Sequence, residues 1–237
     1  MDSLDHFGLR WDSGVDYQSQ HIGDYEAAIS QLKNRDLIYP CTCSRSQLAD
    51  AQQVYPGYCR RQPASTILPH ALRIKTEDIS ATFDDDLQGE ISQNLARQHG
   101  DFIIKRKDGI IAYQLAVVID DFRQGVNHVV RGYDLLDSTP KQLYLQQLLG
   151  YPPPHYMHVP VIVDRDGNKL SKQTRAEAVD GNRAAPTLFL LLTLLQQNPP
   201  ASLRSSSVAS ILEWAVAHWR ADHMIKTEAV PASPPSD

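Results

Sequence analysis

The chain has 237 residues, 42% hydrophobic and 22% charged, an ordinary globular balance that supplies one large core or two small ones. A formal net charge of −5 excludes a polybasic nucleic-acid coat, although a local basic surface is enough to meet phosphates. No apolar run reaches the roughly 20 residues of a membrane-spanning helix, and the acidic opening MDSLDHFGLRW lacks the apolar core of a signal peptide, so the chain is expected in the cytoplasm.

In chain order, LDHFGLRWD reads as the last turn of a helix stopped by Gly8. Tyr25, Ala28, Ile29 and Leu32 then recur at helical spacing, which predicts an amphipathic helix with Asp24 as N-cap. YPCTCSRSQL leads into a Gly- and Pro-containing stretch to about Pro69; ALRIK predicts a short strand and DDDLQGEI an exposed acidic turn. FIIKRKDGIIAYQLAVVIDD predicts a hairpin turned at Asp108-Gly109, then a buried strand ending at Asp120-Asp121. STPKQLYLQQLLG predicts a helix with Thr139 as cap, Pro140 at N1, Gln142 completing a capping box and Gly150 as stop. HVPVIVDRDG predicts a strand entering a tight turn. Two helices follow, from Pro186 to Gln197 and around Val208, Ile211, Leu212, Ala215 and Trp219, before a Pro/Ser-rich tail expected to be disordered.

Three cysteines, an odd number, all lie between Cys41 and Cys59. That clustering argues against a disulfide framework and leaves two readings open, a metal site or reduced buried thiols. In DGNKLSKQ, a flexible turn precedes Lys169 and Lys172, which flank Ser171. Such a cationic arm suits the charge that grows on a leaving pyrophosphate; the residues taken alone read by default as an exposed basic loop, and Arg60-Arg61 and Lys105-Arg106-Lys107 read as solvated faces. Asp120 and Asp121 are read as structural, and His155 and His158 as non-ligands, since no cysteine stands near them.

The stretch from Arg131 to Gln173, RGYDLLDSTPKQLYLQQLLGYPPPHYMHVPVIVDRDGNKLSKQ, resembles the glutamyl-tRNA synthetase branch of the class I aminoacyl-tRNA synthetases. There an R-G-x-D-L segment, a T-P-K-Q helix and an H-x-P strand precede a K-M-S-K-S loop. The spacing of CTCSRSQLADAQQVYPGYC and the sixty or so residues after the lysine loop resemble a small subfamily, the glutamyl-Q tRNA(Asp) synthetases. This resemblance implies an α/β fold: a class I Rossmann-type catalytic domain, N-terminally incomplete, with a zinc-bearing α+β insertion and C-terminal helices. The implied layout is 1–38 as a remnant of the first Rossmann half, 39–110 as the insertion, 111–165 as the second half, 166–225 as the lysine loop and C-terminal helices, and 226–237 as the tail.

The activity implied is ATP-dependent activation of glutamate, with Mg2+, and transfer to queuosine in the anticodon of tRNA(Asp) by a monomer. Lys172 and Lys169 would be catalytic and, with Ser171, would hold ATP; Tyr113 and Arg131 would bind glutamate; Cys41, Cys43, Tyr55 and Cys59 would hold one structural Zn2+. Spacing by itself does not separate Tyr55 from Tyr58 or His70 as fourth ligand. His21-Ile22-Gly23 shares three letters with the HIGH signature of class I enzymes but is expected to be an accident at a loop–helix junction, because no buried strand precedes it. The true signature would then lie upstream of Met1, with about fifty to sixty residues of the family pattern, and activity of this chain would be impaired. Two alternatives stay open here: a fragment of a glutamyl-tRNA synthetase, and a non-catalytic zinc-stabilised tRNA-binding remnant.

Overall fold

The computed structural model describes residues 2–232 apart from 13, 45, 49–53, 63 and 171–177. In chain order its elements are α1 (Asp2–His6), α2 (Ile22–Asn34), β1 (Ile38–Cys41), α3 (Tyr58–Arg61), β2 (Ala71–Ile74), β3 (Ser80–Asp85), β4 (Gly89–Asn94) and β5 (Ile103–Lys105). Then come α4 (Tyr113–Gln124), β6 (His128–Gly132), α5 (Thr139–Leu149), β7 (His155–Val159), β8 (Val161–Val163), α6 (Ala184–Leu194), α7 (Val208–His218) and β9 (Ala229–Pro231). The chain divides into two compact units, one of Asp16–Val129 with Leu135–Met157, the other of Met1–Val15, Val130–Asp134 and His158–Asp237.

The first of these units holds the larger core. Tyr25, Ala28, Ile29 and Leu32 of α2 are all buried, as their spacing predicts, and pack with Leu115, Val118 and Ile119 of α4 and Tyr144, Leu145 and Leu149 of α5. Strands β1, β2 and β5 form an antiparallel sheet with β2 in the middle. β3 pairs antiparallel with β4 and parallel with β7 at Asp85↔Tyr156, in a sheet ordered β4-β3-β7-β6. In the second unit, Phe7 packs with Ala184, Leu188 and Leu192 of α6 and Ile211 of α7. Gly8 is left-handed (φ 67°) just past α1, as expected of a helix stop. Among the described residues no helix is long and apolar enough to cross a membrane.

Several sequence expectations are corrected. The run LAVVI belongs to a helix, α4, rather than a buried strand: Leu115, Val118 and Ile119 recur at i, i+3 and i+4, and Gly125 closes the helix in the left-handed region. Five consecutive apolar residues carry no period of their own, and packing against α2 and α5 decides the outcome. DDDLQGEI is the turn of the β3–β4 hairpin, and Asp85 is buried because its carboxylate accepts from the N–H groups of Leu87 and Gln88. At α5 no capping box forms: Ser138 sits at the N-cap without a side-chain bond, and buried Gln142 donates to Gln114 Oε1 instead. The tail is ordered at β9, which pairs parallel with β8; residues 233–237 lie outside the described residues.

Other expectations meet their structure. His21-Ile22-Gly23 sits at a loop–helix junction, with His21 Nε2 2.6 Å from Asp16 Oδ1, although the N-cap of α2 is His21 and not Asp24, which falls inside the first turn. Asp120 is a structural carboxylate, accepting from Tyr25 OH at 2.7 Å and Gln18 Nε2 at 2.8 Å.

Candidate active site and metal centre

The three cysteines meet. Cys41 ends β1, Cys43 follows two residues later, and Cys59 lies in the single turn α3; their sulfurs all lie within 4.8 Å of one another. Cys43 and Cys59 Sγ are 3.5 Å apart. The hydroxyl that reaches this cluster is that of Tyr55, 3.5 Å from Cys41 Sγ and 3.5 Å from Cys43 Sγ, and it also accepts the Cys59 N–H at 2.9 Å. Tyr58 is half exposed and meets Tyr55 only edge-on, while His70 bonds the Leu68 carbonyl.

These separations suit a small tetrahedral ion. With Zn–S about 2.3 Å and Zn–O about 2.0 Å, tetrahedral ligands stand roughly 3.5–3.8 Å apart. Three thiols and the Tyr55 phenol would make a four-donor set, with no position left for a substrate.

The surroundings hold the cluster in place. Tyr55 bridges to Gly100, whose backbone is left-handed (φ 60°); a Cβ there would stand 2.9 Å from Val54 Cγ1 and 3.0 Å from Tyr55 N, so glycine is what lets the two segments approach. The buried Asp101 carboxylate accepts from Tyr39 OH, Thr76 N–H, Thr76 Oγ1 and Arg60, at 2.6 to 3.0 Å. Burial pushes the Tyr55 phenol far above its ordinary range, and hydrogen bonds from its thiol neighbours add to the rise. For Cys59, burial works against the thiolate, but hydrogen bonds at Tyr55 and the Thr42 backbone outweigh it and bring the thiol down to about 7. Arg73, which the sequence reading passed over, is buried beside the cluster, with Nε donating to Cys41 Sγ at 3.3 Å.

The lysine-loop residues occupy the other unit. Asp164 accepts the N–H groups of Asp166 and Asn168, Gly167 turns at φ 81°, and Leu170 N–H returns to the Ile162 carbonyl; a small hairpin therefore presents Lys169. Hydrogen bonds from those backbone N–H groups hold the Asp164 carboxyl below its ordinary range despite some desolvation. Lys169 Nζ is 2.5 Å from Asp134 Oδ2, an exposed pair. Gly132 makes that pair possible, because a Cβ there would stand 2.5 Å from Asp134 Oδ1. Ser171 and Lys172 lie outside the described residues.

Arg131 lies on β6 and donates from Nε to Nε2 of the fully buried His158 at 3.0 Å. His158 must therefore present an unprotonated Nε2, with its proton on Nδ1. Tyr113 is the first residue of α4 and half exposed, at a helix start rather than in the hairpin and strand expected of this stretch. Sequence reasoning missed Asp134, His158 and Arg73. The first two stand inside the R-G-x-D-L and H-x-P stretches; for Arg73 the signal was a single charge inside the otherwise apolar strand ALRI.

Comparison with known proteins agrees with this architecture. Residues 1–186 match the family model described as tRNA synthetases class I (E and Q), catalytic domain. A Glutamyl-Q tRNA(Asp) synthetase of Pseudomonas paraeruginosa is 45% identical over 231 residues, covering 98% of this chain and 78% of the relative. One from Thiobacillus denitrificans is 46% identical with the same coverage of both. Among solved structures, a glutamate tRNA ligase from Elizabethkingia meningosepticum in complex with its amino acid superposes with a TM-score of 0.75 at 20% identity. That likeness is one of fold; it covers 98% of this chain, which spans 56% of that longer protein. The chain belongs to the class I tRNA synthetases (E and Q), a family of ligases built on this catalytic domain.

Proposed function

We propose that this chain activates glutamate with ATP as glutamyl-adenylate and transfers the glutamyl group to queuosine in the anticodon of tRNA(Asp). The observation that carries the reading is the 45–46% identity, over 98% of the chain, to relatives named for that tRNA. In this reading 39–110 is the zinc-bearing insertion, 111–165 and 166–225 carry the substrate contacts, and the protein works as a monomer in the reducing cytoplasm, where its three cysteines stay out of disulfides.

In the first step a carboxylate oxygen of glutamate attacks the α-phosphorus of ATP, the bond from that phosphorus to the bridging oxygen breaks, and pyrophosphate leaves with Mg2+. Lys169, Ser171 and Lys172 meet the phosphates, and the lysines oppose the charge that grows on the leaving group. Lys169 exchanges its bond to Asp134 for one to phosphate. Arg131 offers its guanidinium fork to a substrate carboxylate, with its Nε anchored on His158. Tyr113 supplies a hydroxyl and a flat apolar wall. In the second step a queuosine hydroxyl attacks the adenylate carbonyl carbon, loses its proton, and AMP departs. Cys41, Cys43, Cys59 and Tyr55 hold one Zn2+, which cross-links the insertion and takes no part in either step.

The test offers radiolabelled glutamate, ATP and Mg2+ with tRNA(Asp) carrying queuosine or unmodified guanosine at the wobble position. Label is expected on the queuosine form only, and should persist on tRNA lacking its 3′-terminal adenosine. Label that requires that adenosine, or that appears equally on the guanosine form, contradicts the proposal.

A further inference from the structure

Arg73 sits on the middle strand of the three-stranded sheet and is only 7% exposed. Among the described residues no carboxylate is in salt-bridge contact with it. Its partners are instead Cys41 Sγ, reached by Nε at 3.3 Å, the Asp101 backbone carbonyl, reached by Nη1 at 2.5 Å, and the face of the Tyr55 ring, whose centroid lies 3.8 Å from Cζ. One planar group thus touches the sulfur of one candidate ligand and the ring of another, and is tied by its third contact to the segment that bridges to Tyr55.

A buried guanidinium without a carboxylate is costly unless other negative charge answers it. The metal centre proposed above provides that charge: three thiolates and a phenolate around a dication leave two negative charges on the filled site. The ring contact has a second consequence. Rotation of Tyr55 away from the sulfurs would also strip the guanidinium of its aromatic face, a cation–π contact that desolvation strengthens.

We infer that Arg73 is a positioning residue of the metal centre: it clamps Cys41 and Tyr55 in the orientation that closes the ligand set and balances part of the site's negative charge. The inference rests on the zinc reading, and its test separates the two. Zinc affinity of the full chain is measured by chelator competition for the wild type, R73M, R73K, Y55F and the R73M/Y55F pair, with the visible spectrum of the cobalt-substituted protein as a second readout. R73M is expected to weaken zinc binding about 10- to 100-fold, the usual consequence of removing an outer partner of a ligand. R73K, which keeps the charge but not the planar fork, should recover part of the loss. In the Y55F background R73M should cost much less, because the two act through one contact, and its cobalt spectrum should move toward that of Y55F. Wild type that takes up no stoichiometric zinc overturns the zinc reading itself. Wild type that binds zinc, with both R73M and R73K binding as tightly and giving an unchanged cobalt spectrum, overturns the role of Arg73 alone. Should R73M fail to fold, R73K decides: unchanged affinity and spectrum overturn the inference.

Discussion

The cysteine cluster and the lysine hairpin are two kinds of candidate site. In the first, three sulfurs and a phenol converge among buried residues, and their neighbours are tied by Asp101 and Arg73. In the second, Lys169 stands nearly half exposed and pairs with one surface carboxylate. Buried groups must be satisfied by fixed partners, whereas exposed ions gain little from one another in water and do their work when a polyanion replaces that water. Stability is therefore expected to reside in the first region and reaction rate in the second.

That separation can be broken by experiment. The largest expected effect is loss of the proposed metal. Cys59→Ala should abolish stoichiometric zinc, and with it the stabilisation, about 4 kcal/mol at metal concentrations of roughly 1,000 times Kd, that binding confers; thermal melts with and without chelator check this. Asp101→Ala should cost about 3 kcal/mol in denaturant melts, since it strands the buried donors of Tyr39 and Thr76. Lys172→Ala, by contrast, should leave the melting curve within about 0.5 kcal/mol of wild type while lowering glutamate-dependent pyrophosphate exchange on the order of 100-fold. A stability loss there as large as that of Cys59→Ala would erase the distinction.

Smaller effects sharpen it. Asp134→Asn releases Lys169 from its exposed pair; with such pairs worth about 0.2–1 kcal/mol, KM for ATP should fall up to about fivefold, less so at high salt. His99 lines a cavity of about 310 Å3 with Tyr55, Arg73, Asp101 and Lys141. Burial lowers its pKa, the charge of Lys141 lowers it further, and Asp137 opposes. A histidine whose folded pKa is depressed binds its proton more readily when unfolded, so its contribution is complete above the unfolded value of about 6.5 and is lost as pH falls below it. His99→Gln should flatten that acid slope in thermal melts; an unchanged slope would assign it to other groups.

Much of this was legible in the residues, for identifiable reasons. The spacing of Tyr25, Ala28, Ile29 and Leu32 gave α2 because an exposed helix must hide one stripe. LAVVI misleads because five apolar residues in a row show no period by themselves, and the exposed polar residues of α4, Arg123 and Gln124, stand beyond the run. The capping signature at Thr139 misled because Gln142, buried at the core, is bonded by Gln114 from another helix, a long-range partner no local motif records. At the candidate metal centre, cysteine clustering announces the thiols, but whether Tyr55, Tyr58 or His70 stands beside them is a matter of chain path, visible only in the fold. Arg73 and His158 were hidden for the same reason: each takes its meaning from a partner 27 to 32 residues away.

The central claim is that this chain activates glutamate, and glutamate-dependent ATP–pyrophosphate exchange in the absence of tRNA tests it most directly. The account predicts exchange that glutamate supports and that glutamine and aspartate do not, and that Arg131→Ala abolishes while the fold is retained. Exchange with no amino acid, or with glutamine in preference to glutamate, would contradict it.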